Sequence, residues 1–292
     1  MSPTPERGED PRPPGARERT RVHLEGVPET LLWTLYHRAV EARRPDAVID
    51  DPLAVTLVDE IDYPFEARFG GGPGDQAQWQ GLRAATFDGE VRRFLAARPG
   101  GTVVALGEGL ETQFWRVDDG HVNWLSVDLP ETMAVQERLL PDAPRRRAVA
   151  CSALDERWMD EVDPSRGVLV TAQGVLMYLP ADPVRALIAT IARRFPGGAL
   201  VFDGPPRWLA ARSHVGNVAH EAVRFQTPPW TWWLDRPERR RIAAMPNVDR
   251  LRALRPPPGR GWFWGMLNPH LSTAPGIREL NFAILVAHFG TG

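Results

Sequence analysis

Lysine does not occur in this sequence, so all 35 basic residues are arginine. Schiff-base chemistry, attachment of pyridoxal phosphate and a Walker-type phosphate loop each need a lysine amine and are excluded. Cysteine is nearly absent as well. Cys151 alone rules out an internal disulfide and a multi-cysteine metal site, and no metal is predicted. No apolar run approaches the ~18 residues of a membrane span. The N-terminus has no apolar signal segment, which predicts a cytoplasmic protein. A formal net charge of −2 offers no basic field for nucleic acid or an anionic membrane. What remains is an ordinary globular composition, 43% hydrophobic and 25% charged over 292 residues. It suits a small-molecule partner and leaves a homo-oligomer open.

Residues 1–20 combine prolines with charges of both signs and almost nothing apolar, which predicts a disordered tail. Leu31, Leu32, Leu35, Tyr36, Ala39 and Val40 then recur at helical spacing. Further helices are predicted over 52–59 and 78–98, stopped by Pro99-Gly100-Gly101. Beyond them apolar strands at 102–106, 123–127, 147–151, 168–172 and 199–203 alternate with helices at 110–117, 130–140, 155–161 and 181–195. Buried strands alternating with helices imply an α/β fold, a parallel Rossmann-like sheet covered on both faces. The predicted division is a single domain over 21–292. It comprises a helical cap at 21–100, a cofactor-binding core at 101–204, a late Pro/Trp/His-rich lid at 205–247 and terminal strands at 248–254 and 278–288 within 248–292.

The chemical signal lies in Thr102–Thr112. An apolar run ends in Gly107-Glu108-Gly109, and the next apolar run ends in Asp128, 21 residues after Gly107. This is the layout of a first βα turn, where bare backbone admits a nucleotide-like ligand. The acid on the following strand can accept hydrogen bonds from both ribose hydroxyls. A dinucleotide site wants a third glycine for the pyrophosphate, and Thr112 stands there instead. The spacing therefore favours an adenosine cofactor without a pyrophosphate.

Three motifs occur in order: Leu106-Gly107-x-Gly109-Leu110-x-Thr112, Val127-Asp128-Leu129-Pro130, and Ala172-Gln173-Gly174-Val175-Leu176-Met177-Tyr178-Leu179. With Val27–Leu32 and Arg83…Phe94-Leu95, this order resembles the leucine carboxyl methyltransferase superfamily and its bacterial polyketide O-methyltransferase branch of tetracenomycin type. The likeness runs from about Val27 to Arg240. It implies a class I methyltransferase-like sheet and S-adenosylmethionine as cofactor. Gly107 and Gly109 would face its methionine portion, and Asp128, followed by Leu129, its ribose. Arg83 would clamp its carboxylate through a bidentate fork. Ser152 and Ala153 would form the adenine pocket, with Asp155 either serving it or capping the next helix. Two positions depart from the family pattern. Gln113 stands where arginine is usual, and Gln173 where glutamate is usual, the latter keeping an acceptor for the cofactor's ammonium group without its charge.

The implied function is an S-adenosylmethionine-dependent O-methyltransferase acting on a carboxyl or hydroxyl group of a small aromatic or polyketide-like metabolite. Two further readings stand beside it: a repurposed cofactor-binding homologue without transfer activity, suggested by Gln113 and Gln173, and a nicotinamide-dependent oxidoreductase. A carboxylate acceptor is ionised at neutral pH and needs no base, whereas a phenol would use one. The candidate catalytic residues are Tyr178, close to the methyl region, and His214 and His220 in the lid. Trp208, Trp230, Trp232, Trp233, Trp262, Phe263 and Trp264 either wall a flat acceptor or simply pack on the core. Arg207 and Arg212 are candidates to orient an acidic substrate.

Overall fold

The N-terminal third folds as helices around its own apolar cluster. In the computed structural model, which describes residues 19–22, 26–70, 74–215, 227–271, 274 and 279–291, strand β1 (Thr20–Arg21) pairs in parallel with β2 (Ile61–Asp62). Helices α1 (Thr30–Ala42), α2 (Pro52–Glu60), α3 (Phe65–Phe69) and α4 (Asp75–Ala97) complete this part. The start of α2 shows the local logic. Pro52 in the first turn needs no N–H partner, and the Asp51 carboxylate accepts from the Ala54 N–H at 3.1 Å. Leu32, Leu35, Leu57, Ile61 and Phe69 are fully buried together at the centre of the cluster. Residues 1–18 of the expected tail lie outside the described residues.

The rest of the chain forms a seven-stranded sheet. Its strands are β3 (Thr102–Leu106), β4 (Asn123–Asp128), β5 (Arg146–Ala150), β6 (Val168–Ala172), β7 (Ala199–Gly204), β8 (Val248–Ala253) and β9 (Ala283–Phe289). The order is β5-β4-β3-β6-β7-β9-β8, parallel throughout except for β9, which runs antiparallel to both neighbours. This is the mostly parallel α/β sheet that the alternation of strands and helices predicts. The intervening helices are α5 (Gln113–Val117), α6 (Pro130–Leu139), α7 (Ala181–Arg194), α8 (Arg207–Ser213), α9 (Arg236–Ala243) and α10 (Asn268–Leu271). Strand alternation supplies two cores. Val103 and Ala105 of β3 face Phe87, Val91 and Leu95 of α4. Val104 and Leu106 face the other way, into a cluster with Trp158 and with Ile188 and Ile191 of α7. Strand order reverses between β3 and β6, and a crevice opens at their carboxyl ends.

Several elements differ from the sequence expectation. Helix α5 begins at Gln113 rather than 110, because Gly109 sits at φ +58° and its N–H is taken by Asp128. The segment expected as a helix over 155–161 is a 3₁₀ turn at Glu156–Glu161, capped by the Asp155 carboxylate on the Arg157 N–H at 3.1 Å. The last strand begins at Ala283 rather than 278. Helices α3, α8, α9 and α10 were not anticipated, being too short to show a period. Among the described residues no helix is long and apolar enough to cross a membrane, and no group of three or more His, Cys, Asp or Glu could hold a metal ion.

Ile188 is fully buried where α7 meets the sheet. Ile188→Ala is expected to cost about 2–5 kcal/mol through lost burial and the cavity left behind. The urea midpoint checks this, with an unchanged m-value expected.

Candidate active site

The crevice is a cavity of about 280 Å³. Arg83, Gly107, Gly109, Asp128, Leu129, Ser152, Ala153, Gln173 and Tyr178 all line it, so four βα turns and helix α4 bring every residue nominated for the cofactor to one place. Gly107 (φ +60°) and Gly109 (φ +58°) are left-handed, which favours glycine. Space demands it too: a Cβ on Gly107 would stand 2.6 Å from Val175 Cγ2. Bare backbone here lets the turn close against the protein as much as against a ligand.

Asp128 ends β4 with its carboxylate inside the turn. Its Oδ2 accepts the Gly109 N–H at 2.7 Å and its Oδ1 the Leu129 N–H at 2.8 Å. The Thr132 side chain adds a third hydrogen bond, and the carboxylate's four lone-pair sites leave room for a further donor. Burial pushes the Asp128 carboxyl above its ordinary pKa, and the two backbone bonds offset this in part.

Arg83 is not a solvated helix arginine. It is 4% exposed and lies in an ion pair with Asp203, which is wholly buried. Its Nη1 donates to Gln80 Oε1 at 2.9 Å, and the other Asp203 oxygen accepts the Gly174 N–H at 2.8 Å. Gly174 is left-handed (φ +72°), and a Cβ there would overlap Arg83 Nη2. The glycine after Gln173 therefore makes room for the guanidinium at the cavity wall.

Behind the turn lies a buried ionic network that sequence reasoning missed. Arg38 reaches Asp51 (3.1 Å), Glu111 (2.9 Å) and the Leu110 carbonyl (2.7 Å). Arg116 reaches Asp51 (2.9 Å), Asp88 (2.8 Å) and Glu111 (2.8 Å). Burial works against ionised Glu111 and Asp51, but the two guanidinium groups outweigh it and hold both carboxyls below their usual range. Gln113 donates to Asp88 at 3.0 Å, and Gln173 Nε2 donates to Glu111 Oε2 at 3.0 Å. Gln173 Oε1 is buried with no partner. Glu111 also lines the cavity, and its place beside Thr112 in the glycine motif was its one visible signal.

A second cavity of about 300 Å³ adjoins the first, and Thr30, Thr34, Arg83, Gly174 and Tyr178 line both. Its walls include Trp33, Trp79, Trp230, Trp264, Phe263 and Phe282. Trp79 stacks on Trp264 at 6.0 Å and meets Phe282 edge-on at 5.8 Å. Of the other nominated aromatics, Trp232 belongs to the main core and Trp233 bonds Asp235 beneath Arg207, so the Arg207 guanidinium is directed at an indole. Trp208 and Trp262 are exposed. His214 lines neither cavity, because its Nε2 is held by the Trp230 carbonyl at 2.9 Å. His220 lies outside the described residues.

Comparison with known proteins matches this architecture to a family. The sequence pattern of the leucine carboxyl methyltransferases fits residues 32–192. The chain belongs to that family. It is 35% identical over 188 residues to the tetracenomycin polyketide synthesis O-methyltransferase TcmP of Streptomyces glaucescens, which spans 64% of this chain and 69% of that protein. It is 27% identical over 240 residues to the S-adenosyl-L-methionine-dependent methyltransferase dpfgK of Gibberella zeae, covering 75% and 79% of the two chains. Among solved structures, the CurJ carbon methyltransferase superposes with a TM-score of 0.49 at 14% identity, over 90% of this chain and 67% of its own. The protein is thus an S-adenosylmethionine-dependent methyltransferase, and the nicotinamide and non-enzymatic readings fall away. The cavity fits that cofactor's polar groups: the Gln173 carbonyl oxygen is buried without a partner, and the Asp128 carboxylate has room for a further donor.

Arg83 is tied to the fold as well as to the cavity, because it is buried against Asp203. Arg83→Ala leaves Asp203 as an uncompensated buried charge and is expected to lower stability by about 3–5 kcal/mol. Chemical denaturation without ligand checks this, with Arg207→Ala, whose guanidinium lies over an indole, expected to change it by less than about 1 kcal/mol.

Proposed function

We propose that this methyltransferase methylates an oxygen, a carboxylate in the first instance and a hydroxyl in the second, on a small aromatic or polyketide-like acceptor held in the second cavity. The carrying observation is the wall shared by the two cavities, formed by Thr30, Thr34, Arg83, Gly174 and Tyr178. Cofactor and acceptor in the two cavities would lie against the same five residues. The aromatic lining suits a flat ring system. The name of the Streptomyces glaucescens relative supports the same substrate class.

S-adenosylmethionine supplies a methyl group activated on a sulfonium sulfur. The chain's residues bind, orient and exclude water. Asp128 would accept from the ribose hydroxyls, Leu129, Ser152 and Ala153 would enclose the adenine, and Gln173 Oε1 would accept from the ammonium group. Arg83, anchored on Asp203, would present its remaining N–H groups to the carboxylate. Gly107 and Gly109 would line the methionine portion. Residues 205–247 would serve as a lid over the acceptor, contributing Leu209 and Trp230 to its cavity. One domain over 21–292 would carry all of this, with 21–100 as its cap.

The proton inventory of the described lining supports the carboxylate preference. Among the described residues lining the second cavity there is no Asp, Glu or His to take a proton. Tyr178 lies at the junction beside Trp230 and Thr30, and burial raises its hydroxyl pKa, so it remains an O–H donor able to orient the accepting oxygen. An ionised carboxylate needs nothing more than alignment.

Two outcomes test this reading. His214→Ala should lower kcat by less than about tenfold, whereas loss of a working general base costs roughly 10²–10⁴-fold. A loss of that size, with cofactor affinity intact, would move the assignment to hydroxyl methylation. The second test concerns Asp128. Ribose hydroxyls donate to its ionised form, so affinity for S-adenosylhomocysteine is full above the Asp128 pKa and is lost as pH falls through it. Because that pKa is raised, the loss should begin at higher pH than for an ordinary carboxylate near ~3.9. Calorimetric titration across pH checks this, and Asp128→Asn should bind more weakly with no such step.

A further inference from the structure

We infer that Glu111 is a positioning residue for the cofactor's ammonium group in this chain: the hydrogen bond it accepts from Gln173 sets the orientation of the amide that would meet that group. The inference rests on the S-adenosylmethionine assignment and on Gln173 facing its ammonium.

Gln173 Nε2 donates to Glu111 Oε2 at 3.0 Å. Turning the carboxamide over would set its oxygen against that carboxylate, so Glu111 determines which way round the amide sits. The oxygen left over, Oε1, is buried and without a partner. That oxygen can only accept, and a positively charged donor satisfies it best.

The charge behind the amide is unbalanced. Arg38 and Arg116 are shared among Asp51, Asp88 and Glu111, two guanidinium groups against three carboxylates, which leaves one negative charge in excess. Glu111 is the member of this set that both lines the cavity and touches Gln173. The other acids lining the cavity are committed elsewhere. Glu108 pairs with Arg146 and accepts from Trp124 Nε1, and Asp128 faces the glycine turn.

The test compares two ligands on the full-length chain by isothermal titration: S-adenosylhomocysteine, which carries the ammonium group, and 5′-methylthioadenosine, which lacks the whole aminoacyl arm. Glu111→Gln and Gln173→Leu should each weaken S-adenosylhomocysteine by about tenfold or more and shift methylthioadenosine by less than about twofold. Gln173→Leu leaves both arginines their partners, so it carries the test if Glu111→Gln does not fold. Gln173→Glu, which restores the family residue, should fail to tighten S-adenosylhomocysteine, because it sets two carboxylates side by side. Equal loss of both ligands in Glu111→Gln and Gln173→Leu would make the pair merely structural and overturn the inference. Wild-type affinity for S-adenosylhomocysteine in Gln173→Leu, or a tenfold gain in Gln173→Glu, would overturn it too. A wild-type protein that binds neither ligand would instead refute the cofactor assignment on which it rests.

Discussion

Two buried guanidinium groups, Arg38 and Arg116, hold the N-terminal helices to the sheet and shape the glycine turn that lines the first cavity. Arg38 comes from α1 and Arg116 from α5, and they share the Asp51 carboxylate at the start of α2 and the Glu111 carboxylate after β3. Thr112 adds its hydroxyl to Asp51 at 2.7 Å, and Asp88 brings in α4. Buried ions left unpaired are strongly destabilising, so each member requires the others to be in place. A single network therefore sets the position of the cap, the course of residues 108–112 and one wall of the cavity. Arginine suits this role because its planar fork can serve several carboxylates at once.

A second buried pair plays the matching part beside the second cavity. Arg83 of α4 and Asp203 at the end of β7 meet beneath Gly174, and the guanidinium stands between the two cavities. The cap helices contribute Thr30, Trp33, Thr34, Trp79 and Gln80 to the second cavity. The cap is thus part of the active site rather than an appendage. Arg260, paired with the wholly buried Glu41 of α1, ties the C-terminal segment with Trp264 back to the same helices.

The apparent weakening of the site at Gln113 and Gln173 takes on another meaning in this setting. Each glutamine uses its amide N–H on a carboxylate of the network, Asp88 for Gln113 and Glu111 for Gln173. Neither is an idle replacement. Catalysis of methyl transfer asks little proton chemistry of the protein when the acceptor is already an anion, and the aromatic second cavity, free of acids and histidines among its described lining, is consistent with that economy.

The sheet was legible in the sequence because buried parallel strands are short apolar runs between turn residues, and β3, β4, β6 and β7 fall within one residue of where those runs lie. Gly107, Gly109 and Asp128 were legible for the same reason: they belong to one local βα unit whose spacing is imposed by backbone geometry. Short elements with no full period were not, and so α3, α8, α9 and α10 and the late start of β9 went unseen. Nor could the sequence show that Arg83 is buried, that His214 is tied to a carbonyl, or that Arg38, Asp51, Asp88, Glu111 and Arg116 meet. Those contacts join residues as far as 120 positions apart, as between Arg83 and Asp203. An arginine carries no local mark of whether it will face water or a carboxylate. Local periodicity determined the strands and the glycine turn; long-range charge pairing, which the folded chain alone brings within reach, decided how the cavity is walled and what it can hold.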